Sequence, residues 1–204
     1  MLVVGLTGGM ASGKSMVSET LRELGLPIID ADLIAREMVR PNEVGYKEIV
    51  DHFGEGILNP DRTINRRRLA KIIFSDSKER EKLNSILHPR IVKKIKKGIL
   101  DFKEKGERIV IVDAALLIEA GQLPLVDELI VVTVSPKVQI KRLAQRDHLT
   151  EKEARERITT QMPLSEKVKL ADYVIDNSGS AKKTVKRTKE VYHKLQLPIA
   201  GKKG

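Results

Sequence analysis

The sequence predicts an α/β protein built on a parallel sheet of about five strands with helices on both faces. Short, almost purely apolar segments recur along the chain, at residues 2–6, 27–29, 109–112, 129–134 and 173–175. Continuous apolar strands are typical of a parallel sheet that is buried on both sides. Charged stretches with helical spacing lie between several of these segments, as helical connections between parallel strands require.

The helices are indicated by their spacing and by residues that favour helix starts. After the first strand, apolar or small side chains recur three and four positions apart, at Met16, Val17, Thr20, Leu21 and Leu24. Ser135-Pro136 places a capping hydroxyl before a first-turn proline, which predicts a helix start. Thr150 and Glu153 have the spacing of a capping box, which predicts another.

Two helical stretches interrupt the alternation of strands and helices. About seventy residues, 35–105, contain helical patterns and no convincing strand, so we expect a helical insertion there. A second helical stretch, 137–170, is rich in arginine. The sheet domain is then predicted to comprise residues 1–34, 106–136 and 171–200, followed by a frayed tail.

The composition limits the classes of function that are plausible. The 204 residues include no cysteine, which excludes disulfides and thiolate metal sites and fits a reducing compartment such as the cytoplasm. No segment is predicted to be a targeting signal or a membrane span. The net charge of +10 attracts phosphate groups, but only 3% of residues are aromatic and none interleave with the basic runs. We therefore expect small polyanions such as nucleotides and no nucleic-acid partner.

Residues 8–15 read GGMASGKS and fit the phosphate-loop pattern G-x-x-x-x-G-K-[ST]. The segment lies between an apolar strand and an amphipathic helix, which is the context that this loop requires. Its backbone N–H groups would surround phosphate oxygens, while Lys14 reaches the β- and γ-phosphates and Ser15 ligates Mg²⁺. A glycine-rich turn with an incidental lysine is the alternative, and the context disfavours it. The predicted ATP contacts here are Gly8, Met10, Ala11, Ser12, Gly13, Lys14, Ser15 and Met16.

Three acidic residues follow strands and are expected at the same edge of the sheet as the phosphate loop. Asp30 and Asp32 would point the same way if their segment were extended. Asp32 is the candidate catalytic residue that accepts the proton of an acceptor hydroxyl, although either acid could instead cap the next helix. Asp113 ends the third strand and is a candidate Mg²⁺ ligand together with Ser15.

Several basic residues are candidates for phosphate contacts. Arg142 and Arg146 share one face of a predicted helix, and Arg157 follows on the next helix. An arginine that closes over the phosphates as part of a lid would stabilise the transferred group, and a solvated basic face is the alternative. In the insertion, Arg66 opens an amphipathic helix and could bind the diphosphate of an acceptor. His88 precedes Pro89 and is interpreted mainly as a packed helix-end residue, with substrate binding as the alternative.

Taken together, these motifs resemble those of the dephospho-CoA kinase family over nearly the whole chain. The most specific elements are Asp30-Ala31-Asp32, Leu87-His88-Pro89 and Arg146-Asp147, in this order. Further matches are Leu6 to Gly9, Ala35-Arg36, Ile64-Asn65-Arg66 with Leu69 and Phe74, Arg142-Leu143, Ala154 with Arg157-Ile158 and Gln161, and Ala171-Asp172 before Ile175 and Asn177.

The resemblance implies a nucleotide-binding core, a helical acceptor-binding domain at 35–105 and a lid at 137–170. The implied reaction transfers the γ-phosphoryl group of ATP to the ribose 3'-hydroxyl of dephospho-CoA, with Mg²⁺. It also implies that Arg142 closes over the phosphates and that Asn177 lies near the ATP base, with Thr7 and Arg66 as further contacts. In one respect the chain departs from the family. Relatives usually show Pro-Leu-Leu-Phe-Glu after the third strand, whereas residues 115–119 read ALLIE.

Three other functions are compatible with parts of this pattern. A nucleoside monophosphate kinase would share the build and differ in its acceptor. A switch GTPase would need an Asn-Lys-x-Asp motif, which the sequence lacks. A basic nucleic-acid-binding ATPase would show steeply salt-dependent binding to oligonucleotides.

Overall fold

The computed structural model describes residues 1–197, apart from the side chain of Phe74. Residues 198–200 of the predicted core and the predicted tail lie outside this range. The chain forms two compact units. The first comprises Met1–Ile29 together with the chain from Ile99 onward, and the second is Asp30–Gly98.

The first unit contains a five-stranded sheet with the strand order β2-β3-β1-β4-β5. Its strands are β1 Leu2–Gly8, β2 Ile28–Asp30, β3 Ile109–Asp113, β4 Glu128–Thr133 and β5 Tyr173–Asp176. β1 pairs in parallel with β3 and with β4, and β4 pairs in parallel with β5. Every residue of β1 and of β3 is buried. The predicted α/β class and the five predicted strands are confirmed.

Two aspartates fix the register where neighbouring strands begin. The backbone of Asp127 donates to the carbonyl of Val3 over 2.7 Å, and its carboxylate accepts the N–H of Val3 over 2.7 Å. Asp172 makes the same pair of contacts with Leu129, over 3.0 and 2.9 Å. Each aspartate thus satisfies both polar groups of one strand residue, which holds β1, β4 and β5 in line at the end opposite the phosphate loop.

Helices flank this sheet. In the first unit they are α1 Lys14–Glu23, α6 Pro136–Asp147, α7 Glu151–Ile158, α8 Leu164–Lys169 and α9 Ala181–Gln196. Three of them, α1, α8 and α9, contact its strands. Val17 and Leu21 of α1 and Val191 and Leu195 of α9 join the apolar strand residues in one buried cluster. Among residues 1–197, no helix is both long enough and apolar enough to cross a membrane.

Both predicted helix starts are observed, but only one has the predicted cap. Thr150 and Glu153 form a reciprocal capping box at the start of α7. Ser135 precedes Pro136 at the start of α6, yet its hydroxyl makes no capping hydrogen bond. The prediction for the Ser135 hydroxyl was therefore wrong.

The second unit is helical and has its own core. Its helices are α2 Ala31–Glu37, α3 Val44–Phe53, α4 Arg66–Ser75 and α5 Ser77–Glu104, the last of which ends beyond Gly98. Tyr46, Ile49 and Ile57 are at the centre of its buried cluster. The described residues between 31 and 98 contain no strand of the sheet, and one antiparallel bridge joins Leu58 and Ile64.

The interruption predicted at His88-Pro89 is not observed. Both residues lie inside α5, which continues to Glu104. Proline removes one helical hydrogen bond and crowds the preceding turn. Here the guanidinium of Arg90 donates to the carbonyl of Ile86 in that turn and also to Glu48 of α3. These contacts tie the turn around the proline to α3, and the helix continues through the proline to Glu104.

Candidate active site

The predicted phosphate loop connects the end of β1 to the start of α1. Gly13 precedes the helix with φ 85°, a left-handed conformation that side chains rarely adopt. Space excludes a side chain as well, because an ideal Cβ on Gly13 would lie 1.9 Å from Nδ2 of Asn177. Lys14 and Ser15 therefore open α1 directly after a tight turn. The N–H groups of this first helical turn form a favourable site for an anion.

One residue with a strained backbone lies in the same loop. Ala11 has φ 55°, although it is not a glycine. A left-handed residue of this kind costs about 1–2 kcal/mol, so it persists only where its surroundings enforce it. The next residue, Ser12, is 1% exposed, and within residues 1–197 its hydroxyl has no hydrogen-bond partner. The loop thus keeps a conformation that is locally unfavourable.

The loop lysine lies beside the acid at the end of the neighbouring strand. Asp113 is the last residue of β3 and is in register with Leu6 of β1. Its carboxylate pairs with Nζ of Lys14, and Asp113 is 4% exposed. The structure therefore brings together the predicted phosphate-binding lysine and the predicted metal ligand. Ser15, the other predicted ligand, is exposed at the start of α1.

Asn177 supports the loop from behind. Its Nδ2 donates to the carbonyl of Ser12 over 2.8 Å, and its Oδ1 accepts from the hydroxyl of Thr184 over 2.6 Å. The side chain is 2% exposed, so the amide is committed to the loop and to α9. Contact between Asn177 and the ATP base stays a prediction, and the side-chain geometry gives Asn177 a supporting role.

The arginines predicted for the lid have different surroundings. An ideal Cβ on Gly13 would lie 3.9 Å from Nη1 of Arg142, so this guanidinium lies next to the phosphate loop. Among the described residues it makes no hydrogen bond or ion pair. Arg146 and Arg157, in contrast, both pair with the carboxylate of Asp147, each over 2.7 Å. Hydrogen bonding from Arg146 is the main cause that lowers the pKa of Asp147. Only Arg142 is placed to meet an anion in the loop.

Three residues of the loop region that are predicted to contact ligands make hydrogen bonds within the protein. Thr7 is fully buried and its hydroxyl donates to the carbonyl of Ala115 over 3.0 Å, so the side chain supports the segment after β3, and its substrate contact stays a prediction. The N–H of Met10 donates to Oε1 of Gln161 and is not available to a phosphate. The N–H of Met16 donates to the carbonyl of Gly13, and its side chain is 37% exposed.

The acids after β2 do not lie on an extended segment. Asp30 is the N-cap of α2, and its carboxylate accepts the N–H of Leu33 over 2.8 Å. Asp32 lies in the first turn of that helix and is half-buried. The expectation that both carboxylates point the same way was therefore wrong, because the strand ends at Asp30. The capping alternative is confirmed for Asp30, and the catalytic role of Asp32 stays a prediction.

The basic residues of the second unit also separate into two groups. Arg66 is the first residue of α4 and is exposed, and its side chain has no partner among residues 1–197. Arg68 donates to the carbonyls of Gly56 and Leu58, both over 3.1 Å, and so holds the preceding turn. His88 is half-buried within α5 and is not a helix-end residue. Substrate contacts of Arg66 and His88 stay predictions.

Sequence reasoning gave no structural role to four side chains near the loop, although Gln161 and Glu119 lie in segments compared with the family. Gln139 and Gln161 bind the backbone of Met10, and Lys167 forms an ion pair with Glu119 over 2.8 Å. Lys167 is fully buried. A signal for it exists in the sequence, since it lies three positions after Leu164 in the same helix. A charged residue at such a position indicates a buried partner.

Comparisons with known proteins agree with one another on the family of this chain. Residues 2–183 match the family model described as dephospho-CoA kinase. A dephospho-CoA kinase of Carboxydothermus hydrogenoformans is 49% identical over 182 residues, which cover 89% of this chain and 88% of the relative. One of Listeria monocytogenes is 47% identical, covering 90% and 92%. The solved structure of the Campylobacter jejuni enzyme superposes with a TM-score of 0.71 at 27% identity, covering 95% and 96%. The chain belongs to the dephospho-CoA kinase family.

Proposed function

We propose that this protein transfers the γ-phosphoryl group of ATP to the ribose 3'-hydroxyl of dephospho-CoA, which gives coenzyme A and ADP. The observation that carries this proposal is the strained phosphate loop, with Lys14 beside Asp113 and the guanidinium of Arg142 next to Gly13. Membership of the dephospho-CoA kinase family supports the choice of acceptor. The proposed location is the cytoplasm, where ATP is available.

The chain's own cations account for most of the proposed chemistry. Phosphoryl transfer depends mainly on positioning and on stabilisation of charge on the transferred group. Lys14 binds the β- and γ-phosphates together with the N–H groups at the start of α1. Arg142 stabilises the charge that the equatorial oxygens carry during transfer, because its guanidinium has no competing partner in residues 1–197.

The residues at the loop fit a magnesium ion that is bound mainly through the nucleotide. Ser15 and Asp113 offer hydroxyl and carboxylate oxygens, which are the ligands that Mg²⁺ prefers. Within the described chain, no three His, Asp or Glu side chains form a metal-binding group, so phosphate oxygens and water would complete the coordination. When bound, the ion neutralises charge on the β- and γ-phosphates.

We assign the acceptor side of the reaction to the second unit. Asp32 accepts the proton of the 3'-hydroxyl, or orients this hydroxyl for in-line attack. Arg66 contacts the diphosphate of dephospho-CoA, since it is exposed and unpaired within residues 1–197. His88 is a further substrate contact. These roles follow from the family motifs on which the residues lie.

An acceptor panel tests the proposal. The purified protein is incubated with γ-labelled ATP, magnesium and, separately, dephospho-CoA, AMP, CMP and an oligonucleotide. We expect label only in the product of dephospho-CoA, on its 3'-oxygen. Transfer to AMP or CMP without transfer to dephospho-CoA would identify a nucleoside monophosphate kinase and refute the proposal.

A substitution of Asp32 tests its assigned role. Asp32→Asn keeps the size of the side chain and removes the proton acceptor, so we expect kcat to fall by about 10²- to 10⁴-fold. The affinity for ADP should stay within about twofold of wild type, since general-base loss acts on transfer. Asp51→Asn, an exposed acid in α3 of the same unit, is the control. Turnover of Asp32→Asn near that of Asp51→Asn would show that Asp32 is not the base.

A further inference from the structure

Two glutamine side chains bind the backbone of one loop residue. Gln139 of α6 donates from Nε2 to the carbonyl of Met10 over 2.9 Å. Gln161, between α7 and α8, accepts the N–H of Met10 at Oε1 over 3.0 Å. Both polar backbone groups of Met10 are therefore occupied by side chains from segments that follow it by more than a hundred residues.

These contacts lie beside the strained part of the loop. Ala11, with φ 55°, directly follows Met10. An ideal Cβ on the preceding residue, Gly9, would lie 2.8 Å from Nε2 of Gln139 and 3.1 Å from Cγ of Leu164. Side chains from α6 and α8 thus approach the loop closely. A left-handed alanine needs surroundings of this kind, because nothing in its own conformational preference favours it.

An ion pair between the buried Lys167 and the partly exposed Glu119 anchors the segment that carries Gln161. The N–H of Met162 donates to Oε1 of Glu119 over 3.2 Å. Nζ of Lys167 lies 2.8 Å from the same oxygen and donates to the carbonyl of Ala115 over 3.1 Å. Lys167 is fully buried, so these two oxygens replace its hydration. The chain on both sides of Gln161 is therefore restrained.

The last contact returns to the strand that leads into the loop. The hydroxyl of Thr7 donates to the carbonyl of Ala115, which also accepts from Lys167. Together with the backbone, these contacts form a closed ring within the first unit. In order, the ring passes through Thr7, Ala115, Lys167, Glu119, Met162, Gln161 and Met10, and the chain from Met10 back to Thr7 closes it. Displacement of the segment before α8 would therefore lengthen or break the hydrogen bond between Gln161 and the N–H of Met10.

We propose that Gln139 and Gln161 are positioning residues for phosphoryl transfer, which hold Met10 so that Ala11 keeps the conformation in which the following loop N–H groups meet phosphate. Lys167 and Glu119 act through Gln161 by fixing its segment. The inference deepens the proposed function and rests on it, since it requires a nucleotide in the loop.

Two leucine substitutions with a matched control test the inference. Gln161→Leu and Gln139→Leu each remove one hydrogen bond to Met10, and Gln145→Leu changes an exposed glutamine of α6. For each variant, calorimetry gives the Kd for MgADP, and kinetics give the KM for ATP and for dephospho-CoA. Amide hydrogen exchange reports on Met10 and Ala11, and a thermal melt reports on the fold.

The expected result separates positioning from general stability. Loss of one such bond should raise the Kd for MgADP and the KM for ATP about fivefold, or roughly 1 kcal/mol at 1.4 kcal/mol per tenfold. The KM for dephospho-CoA should stay within about twofold, because the change acts on the nucleotide loop. In Gln161→Leu, exchange should rise at Met10 and Ala11 and not across the sheet.

Two different failures can be told apart. If wild type and Gln145→Leu bind MgADP while Gln161→Leu and Gln139→Leu bind it equally well, the positioning role is wrong and the proposed function stands. A rise of both KM values together with faster exchange across the sheet would also overturn it, since the glutamines would then only stabilise the fold. If wild type itself binds no MgADP, the proposed function fails first.

Discussion

Two lysines of the first unit each pair with an acid on the chain at or after β3, and their surroundings differ. Lys14 opens α1 and pairs with Asp113, the last residue of that strand, while its side chain remains 15% exposed. Lys167 in α8 pairs with Glu119, and its side chain is 0% exposed. Lys167 also donates to the carbonyl of Ala115, so two protein oxygens take the place of water around its ammonium group.

The difference shows that a lysine ammonium group can serve phosphate binding at one position and structural support at another. Lys14 lies at a loop whose N–H groups favour an anion, and access from solvent lets a phosphate reach its ammonium group. Lys167 is sealed from solvent, and its two oxygen partners come from the protein itself. The two lysines therefore differ in role because they differ in exposure to solvent and in whether a ligand can reach the ammonium group.

The strongest test of this comparison is Lys14→Ala. We expect kcat to fall about a thousandfold, because a preorganised cation at the transferred phosphate is lost. The Kd for MgATP should also rise, while the melting temperature should change less than in variants of Lys167. Activity assays, calorimetry and thermal melts measure these three quantities. If Lys14→Ala kept a tenth of wild-type turnover, Lys14 would have a mainly structural role, and the comparison would be wrong.

A second test extends the comparison to two arginines of α6. Arg142 is unpaired among residues 1–197 and lies beside Gly13, whereas Arg146 is bound to Asp147. Arg142→Ala should lower kcat about a hundredfold and weaken ATP affinity much less, since its contact strengthens during transfer. Arg146→Ala is the matched control and should stay within about twofold. Equal losses for both variants in steady-state kinetics would contradict the distinction.

The smallest effect on turnover is expected for Lys167→Met. This substitution keeps the volume of the side chain but removes one of the two donors to Glu119 and one of the two donors to the carbonyl of Ala115. We expect the free energy of unfolding to fall by about 2 kcal/mol, or roughly 4–8 °C in Tm for a chain of this size. Lys169→Met, in the same helix but exposed, is the control and should melt like wild type. Equal melting temperatures for the two variants would show that the buried pair adds no stability.

The sheet was predictable because apolar segments and phosphate-loop spacing are properties of neighbouring residues. The five strands and the capping box at Thr150 follow from such local patterns. The same reasoning failed at Asp32, because the extended segment ends at Asp30 and a helix follows at once. It failed again at Pro89, because a proline favours a helix end but does not exclude a helix that continues through it, as α5 does.

The supports of the site were less predictable because they join distant segments. Asn177 and Gln161 belong to the family resemblance, but their sequence neighbours do not show that both bind the phosphate loop. The amide of Asn177 reaches Ser12, and Gln161 reaches Met10, only after β5 and α8 have packed on the sheet. Local spacing therefore predicts the residues proposed to bind the nucleotide. The residues that support the loop become visible only in the tertiary structure.

The separate hydrophobic core of the second unit has an evolutionary consequence. Asp30–Gly98 is one uninterrupted piece of chain, and its buried cluster contains only its own residues. Packing changes within this cluster therefore fall on residues that contact one another, so we expect their effects on stability to be coupled. Compensating substitutions that preserve the total volume of this cluster can then arise within one continuous stretch of the chain.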